Sequence, residues 1–500
     1  MAFKLARRAK HFGATTPRAA MEVAQVFVDA GSKLWSLSRG IYGQFIEHLG
    51  RCIYGGVWVG PDSKIPNVKG FRLDVLEAVK GIKPLLVRWP GGNFASSYHW
   101  EDGIGSRERR PRVFDPSWGA EEPNEFGTCE YIEWVRMVGA EPFIVVNAGN
   151  GTPEEAARWV EFCNSRGNTR YARLRRELGY PEPFNVKLWG VGNELYGRWQ
   201  VGFCVDGEEC ARRTVEFANQ MRRVDPTIKI VAVGCDYDPE WNVDMVRVTG
   251  EYFDYLSIHR YVFTSHQKKY EELVAWPIAV EEDLIAIYRT VQMARARYRV
   301  KREIKLAFDE WNVWYPEAQP PLLTQVTRVK DAVFTGLTLN ALQRLSGIVP
   351  IACFAQTVNV LPLILADEEG RIALTPQYLI FKLYSEVQEG DVVRAIAFSP
   401  SYRSSELDRV VPYVDASAIL AGGVLHLYLV NRHPEEKIRA EVFVRGFSPS
   451  TVHHRWVAGE SVEDANTFDD PKRVKVESAE YPFKGFVELP PHSVNAITLT

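Results

Sequence analysis

The sequence predicts an α/β protein: a (β/α)8 TIM barrel over residues 37–385 with a C-terminal antiparallel, jelly-roll-like β-sandwich over 386–500. Three observations predict it. Between about residues 40 and 380, eight short apolar runs alternate with helical patterns. Those runs are nearly continuous in hydrophobicity, as parallel strands covered on both faces must be. After residue 386 the helical periodicity fades, and strand-like segments separated by turns replace it.

Taken in order, the first element is an extension over residues 1–21. It is basic, with no acid before Glu22 and no apolar run of the kind a secretory signal carries, and disorder is expected there. Residues 22–36 form a strand expected to join the sandwich. Barrel strands are expected at 41–47, 85–89, 143–147, 186–191, 228–233, 253–258, 304–308 and 349–356. Most end in Gly, Asn or a charged residue, as at Pro90-Gly91-Gly92, Gly192-Asn193-Glu194 and Asp309-Glu310. Between the third and fourth strands, Thr152-Pro153-Glu154-Glu155 reads as a capping box with proline at the first helical position. Ala156, Trp159, Val160 and Cys163 follow at i, i+3, i+4 and i+7, one apolar face. The helix over 128–138 meets Gly139, a C-cap residue. Residues 345–366 carry no charge until Asp367, but Pro350, Pro362, Gln356 and Asn359 argue for a buried strand and loop over a membrane helix. Sandwich strands are expected at 411–417, 424–430, 437–444 and 496–500.

The composition is globular: 46% hydrophobic, 25% charged and 12% aromatic, which excludes a disordered or collagen-like chain. A net charge of −3 favours neither nucleic acid nor an anionic membrane as partner. The 14 Trp and 21 Tyr suit sugar rings, though most aromatics serve the core. The seven cysteines are scattered with no Cys-x-x-Cys pair, so no metal site is expected, and free thiols in a reducing cytoplasm fit best. Cys204 and Cys210 are close enough in sequence to close a small disulfide instead. Asp367, Glu368 and Glu369 read as a solvated acidic loop.

Catalysis in such a barrel sits at the C-terminal ends of the strands. Those ends carry Glu47, Arg88, Asn93, Asn147, Asn193, Glu194, His259, Tyr261, Glu310 and Gln356. Glu194 and Glu310 stand out: each lies beside Asn and Trp, on the expected fourth and seventh strands, which can face each other across the mouth. A pair of carboxylates, one protonated to release the leaving oxygen and one ionised to attack the anomeric carbon, is what glycoside hydrolysis requires. No phosphate-binding loop, HExxH or credible serine triad is present.

The strings Ile41-Tyr42-Gly43-Gln44-Phe45-Ile46-Glu47-His48-Leu49-Gly50-Arg51, Arg88-Trp89-Pro90-Gly91-Gly92-Asn93-Phe94, Gly192-Asn193-Glu194 and Phe308-Asp309-Glu310-Trp311-Asn312-Val313-Trp314-Tyr315 resemble the α-L-arabinofuranosidases of glycoside hydrolase family 51. The likeness runs from about residue 40 to the C-terminus. The Asn-Glu and Glu positions are shared by a clan of barrel glycosidases, whereas the first and last strings are more specific. The resemblance implies a retaining, exo-acting enzyme on arabinan or arabinoxylan oligosaccharides, with Glu194 as acid/base and Glu310 as nucleophile. It implies that Glu47, Asn93, Asn193 and Gln356 bind sugar hydroxyls, that Tyr261, Arg88 and His259 support the nucleophile, and that Trp100 and Trp314 wall the site or serve the core. It further implies no cofactor, a cytoplasmic location and a homo-oligomer, often a hexamer. Leu195-Tyr196-Gly197-Arg198-Trp199 stands where many relatives carry Met-Asp-Gly-Pro-Trp, which bears on the aglycone. A β-xylosidase, an endoglucanase or a non-catalytic carbohydrate-binding barrel are the alternative readings.

Overall fold

The computed structural model describes residues 22–500. The expected extension over 1–21 lies outside the described residues. Strand β1, Glu22–Ser36, comes first. Eight strands follow: β2 Gly43–Phe45, β3 Leu86–Trp89, β4 Glu141–Val146, β5 Leu188–Val191, β6 Lys229–Val233, β7 Tyr255–Phe263, β8 Lys305–Trp314 and β9 Ile351–Phe354. They pair in parallel in sequence order and close, β9 against β2, into a barrel. The helices are α1 Leu73–Gly81, α2 Thr128–Val138, α3 Pro153–Asn164, α4 Arg170–Glu177, α5 Gly207–Val224, α6 Pro239–Thr249, α7 Tyr270–Tyr298, α8 Val329–Arg344 and α9 Pro376–Tyr384.

Strand alternation sorts the apolar residues into two layers. Phe45, Leu86, Phe143, Val145, Val231, Ala307 and Ile351 form one buried cluster inside the barrel. Their neighbours Val87, Trp89, Ile144 and Val146 join the larger core between strands and helices. The helix ends follow local chemistry. Thr152 accepts the Glu155 amide at 3.1 Å, and Pro153 opens α3. Ala156, Trp159, Val160 and Cys163 are buried on its inner face. Gly139 ends α2 at φ 86°, a conformation that costs glycine nothing.

The sandwich strands are β10 Asp391–Phe398, β11 Val414–Ala421, β12 Val424–Asn431, β13 Ile438–Arg445, β14 Thr451–Val457, β15 Val476–Pro482, β16 Phe486–Leu489 and β17 Ser493–Leu499. Their order is β15-β14-β17-β12-β11-β10-β1-β13-β16, with β1 antiparallel to β10 and parallel to β13. Ala24, Val26, Val28, Leu425, Leu427, Leu429 and Ile497 lie in its core. Helix α8 packs on β11, β12 and β17. A Cβ on Gly336 would sit 2.7 Å from Val494, so this contact needs glycine. Arg344 of α8 bridges Glu281 of α7 at 2.6 Å and Asp415 of β11 at 3.0 Å.

Three expectations about elements change. The segment expected as a strand over 41–47 is a 3-10 turn, Arg39–Tyr42, capped by the Ser38 hydroxyl, followed by a three-residue strand. Residues 411–417 divide between a hairpin strand, Arg409–Pro412, that pairs with Ser401–Ser404, and β11. Asp367 is buried rather than solvated: its carboxylate accepts the Arg371 amide at 2.7 Å, and its carbonyl accepts from Arg72.

Candidate active site

The site is built around an irregularity in β8. Ser257 of β7 faces Ala307, but His259, two residues on, faces Glu310, three residues on. The register to β9 slips in the same place, between Phe308 and Trp311. Such a bulge breaks the alternation that would send adjacent side chains to opposite faces. Both Asp309 and Glu310 are consequently buried against groups inside the barrel mouth. Strands β7 and β8 also run past the expected ends, to Phe263 and Trp314.

Glu310 Oε1 accepts from Arg88 Nη1 at 2.6 Å, and its Oε2 accepts from the Tyr261 hydroxyl at 2.7 Å. Arg88 Nη2 donates to Asn193 Oδ1 at 2.7 Å. The guanidinium lies 4.7 Å over the Phe45 ring, inside the barrel. Burial and then the Glu310 charge push the Tyr261 phenol well above its usual range, so it stays a neutral donor.

Glu194 follows β5 with φ +43°, a left-handed backbone unusual for a residue with a side chain. Its Oε1 lies 2.9 Å from His259 Nδ1. Burial pushes the Glu194 carboxyl up, but the hydrogen bond and charge of His259 outweigh it and hold it below the usual range. Burial opposes a charged His259. The Glu310 carboxylate, with hydrogen bonds to Asp309 and Glu194, nevertheless raises it to about 10. An oxygen of Glu194 lies within 4.8 Å of one of Glu310. These two carboxylates and His259 would also fit around a cation. Arg88 and the hydrogen bond of His259 occupy that space, and no metal ligand is assigned.

Glu47 forms a shelf beside the pair. Its Oε1 accepts the Phe94 amide and the Trp118 indole, each at 3.1 Å, and its Oε2 accepts from Gln356 at 2.9 Å. Burial and the Glu310 charge raise its carboxyl to about 8. Gly91-Gly92 makes this crowding possible: a Cβ on Gly92 would meet both Glu47 oxygens at 3.1 Å and Glu310 at 3.2 Å. Asn93 Oδ1 accepts from Asn193 at 3.4 Å and from Gln200. Trp314 packs edge-on to Tyr261, with ring centres 4.9 Å apart.

The structure thus brings together Glu47, Arg88, Asn93, Asn193, Glu194, His259, Tyr261, Glu310, Trp314 and Gln356. It does not bring in Trp100. That indole is 1% exposed, stacks on Trp159 at 5.8 Å and donates to the Glu155 carbonyl, so it belongs to the core beneath α3. Trp118, from the loop after β3, takes the place at Glu47. Asn147 is also structural, capping the turn at Gly149, Asn150 and Gly151. Sequence reasoning missed Trp118, Gln200, Ser257 and Asp309. For Asp309 the signal was its adjacency to Glu310, whereas Trp118 and Gln200 lie on loops with no periodicity to mark them. All seven cysteines, Cys204 and Cys210 included, are free and buried.

Residues 78–276 match the family model described as α-L-arabinofuranosidase 1 domain, and residues 309–493 match α-L-arabinofuranosidase C-terminal domain. The chain is similar to the intracellular exo-α-(1→5)-L-arabinofuranosidase 1 of Bacillus subtilis, 33% identical over 445 residues, which cover 85% of this chain and 88% of the relative. A crystal structure of the α-L-arabinofuranosidase from Thermotoga maritima, an arabinose complex, is 40% identical with a TM-score of 0.87, over 95% of this chain and 99% of that one. The GH51 α-L-arabinofuranosidase of Thermotoga petrophila is 39% identical with a TM-score of 0.88, over 95% and 100%.

Proposed function

The chain belongs to the α-L-arabinofuranosidases of glycoside hydrolase family 51, and from that premise we propose that Glu310 and Glu194 carry a double displacement that retains anomeric configuration. The enzyme is an exo-acting glycoside hydrolase that releases terminal α-L-arabinofuranosyl residues. The observation that carries the proposal is the approach of the two carboxylates, with oxygens within 4.8 Å of each other. Retention goes with carboxyl groups about 5–5.5 Å apart, and inversion needs about 6.5–9.5 Å to admit a water.

Glu310, aimed by Arg88 and Tyr261, attacks the anomeric carbon as the bond to the leaving oxygen breaks. Glu194 supplies the proton that this oxygen takes. Water then attacks the glycosyl ester, giving its proton to Glu194 and restoring Glu310. Glu47, Asn93, Asn193 and Gln356 receive the hydroxyls of a five-membered ring, and a sugar that leaves these buried groups unpaired is rejected. Trp118 and Trp314 wall the site.

Arabinan and arabinoxylan oligosaccharides are the proposed substrates. A cytoplasmic homo-oligomer, hexameric as the resemblance implies, is the proposed state. The intracellular relatives and the seven unbonded cysteines support that location. No described helix is long and apolar enough to cross a membrane. Proton NMR of the first product formed from an aryl α-L-arabinofuranoside tests the stereochemistry. The proposal expects the α-anomer first, and initial appearance of the β-anomer rejects it.

A further inference from the structure

The bulge in β8 places a third carboxylate, Asp309, behind His259, and the mechanism above does not use it. The hydrogen-bond geometry around that histidine is constrained. Ser257 donates its hydroxyl proton to Asp309 Oδ1 at 2.6 Å. A lone pair of the same hydroxyl faces His259 Nε2 at 3.0 Å, and Asp309 Oδ1 lies 3.4 Å from that nitrogen. Both neighbours of Nε2 are acceptors, so Nε2 carries a hydrogen. On the other side, Nδ1 faces Glu194 Oε1 at 2.9 Å and Glu310 Oε1 at 3.6 Å. One proton must lie between Nδ1 and Glu194, and the two groups share it.

We propose that Asp309 and Ser257 are positioning residues that lock His259 with Nε2 protonated, so that His259 Nδ1 stores the proton that Glu194 delivers to the leaving group. This rests on the reading of Glu194 as the acid. The groups around the imidazole are Glu194 after β5, Asp236 after β6, Ser257 on β7, and Asp309 and Glu310 on β8, the last two paired with Arg88 on β3. Arg88 Nε lies 3.2 Å from Asp309 Oδ2, an ion pair whose N–H is not aligned for a hydrogen bond. Arg88 and a charged His259 thus face three carboxylates, Glu194, Asp309 and Glu310.

The cycle balances. In the first step the anomeric C–O bond breaks and the C–O bond to Glu310 forms. The shared proton passes from His259 Nδ1 through Glu194 to the leaving oxygen, which leaves His259 neutral and Glu194 ionised. Glu310 loses its charge as it becomes an ester, and His259 loses its charge as it gives up the proton, so the site's net charge is unchanged. In the second step the proton of the attacking water returns through Glu194 to His259 as Glu310 is released.

The test combines nitrogen NMR of 15N-histidine-labelled protein with pH profiles. The His259 signals are assigned through a His259→Gln variant. At pH 7.5 both His259 nitrogens of the wild type should appear protonated. In Asp309→Asn the His259 titration, and the alkaline limb of kcat/KM on an alkyl arabinofuranoside, should both move down by about one pH unit or more, the size of a lost neighbouring charge. On a dinitrophenyl arabinofuranoside, which needs no acid, that limb should stay in place. Ser257→Ala should give a smaller shift of the same sign, and Ser257→Thr should restore the wild-type profile. These variants cover the case in which Asp309→Asn does not fold. A neutral His259 at pH 7.5 in the wild type overturns the proposal, as does an unmoved alkaline limb in the folded variants. If the limb moves but Glu194→Ala lowers kcat/KM on activated and unactivated substrates alike, Asp309 and Ser257 still hold His259 charged, and it is the assignment of Glu194 as the acid, with its delivery of the stored proton, that fails.

Discussion

Trp118 and Trp100 show how far residue identity alone reaches. Both are tryptophans in the loops after β3, yet one donates to Glu47 and the other stacks on Trp159. Replacing Trp118 with Phe removes a hydrogen bond to a buried carboxylate, worth about 1–3 kcal/mol, so kcat/KM should fall about tenfold or more with stability little changed. Replacing Trp100 with Ala empties a packed site and should cost about 3–5 kcal/mol of stability. Urea unfolding and steady-state kinetics on both variants separate the two roles, and the reverse pattern would reinstate Trp100 at the site. Glu47, Glu194 and Glu310 were legible because their local strings are distinctive: Glu47 and Glu194 stand just beyond strand ends, and Glu310 stands where the apolar start of β8 gives way to polar residues. Trp118 was not, because a long loop carries no period that says where a side chain points.

At the scale of the element, the barrel strands were legible because burial on both faces makes them continuous apolar runs. The helix α3 was legible because cap, proline and apolar stripe agree. Its cap allows a direct check: Thr152→Ala should lower stability by about 1 kcal/mol, read as a lower urea midpoint at unchanged slope. No loss would mean that the Thr152 hydroxyl contributes nothing beyond the proline. The bulge in β8 was not legible. It is a property of pairing, visible only when β7 and β9 lie alongside, and it turns Asp309 from a neighbour of Glu310 in sequence into a buried partner of His259. Strands β10 and β14 to β16 escaped notice, β15 and β16 for a related reason. Much of β15 is exposed, and β16 spans four residues, so neither leaves a clear alternation.

At the scale of the whole molecule, the sandwich serves as a wall for the barrel. Helices α8 and α9 press apolar faces on it, Tyr384 stacks on Tyr428 at 4.3 Å, and Arg344 ties α7 and α8 to β11. Removing residues 386–500 would bare that surface and strip β1 of both partners. The truncated chain should aggregate or elute as expanded species by size exclusion. A compact barrel with full activity would show that the wall is dispensable. The central claim is that Glu310 forms the glycosyl ester and Glu194 manages the proton. Its most direct test is mass spectrometry of Glu194→Ala quenched soon after mixing with dinitrophenyl α-L-arabinofuranoside. The activated leaving group lets the first step proceed while the second, lacking its base, stalls. The protein should gain the mass of one arabinosyl group, and peptide mapping should place it on Glu310. An adduct on Glu47 or Asp309, or none while dinitrophenol is released, would contradict the account.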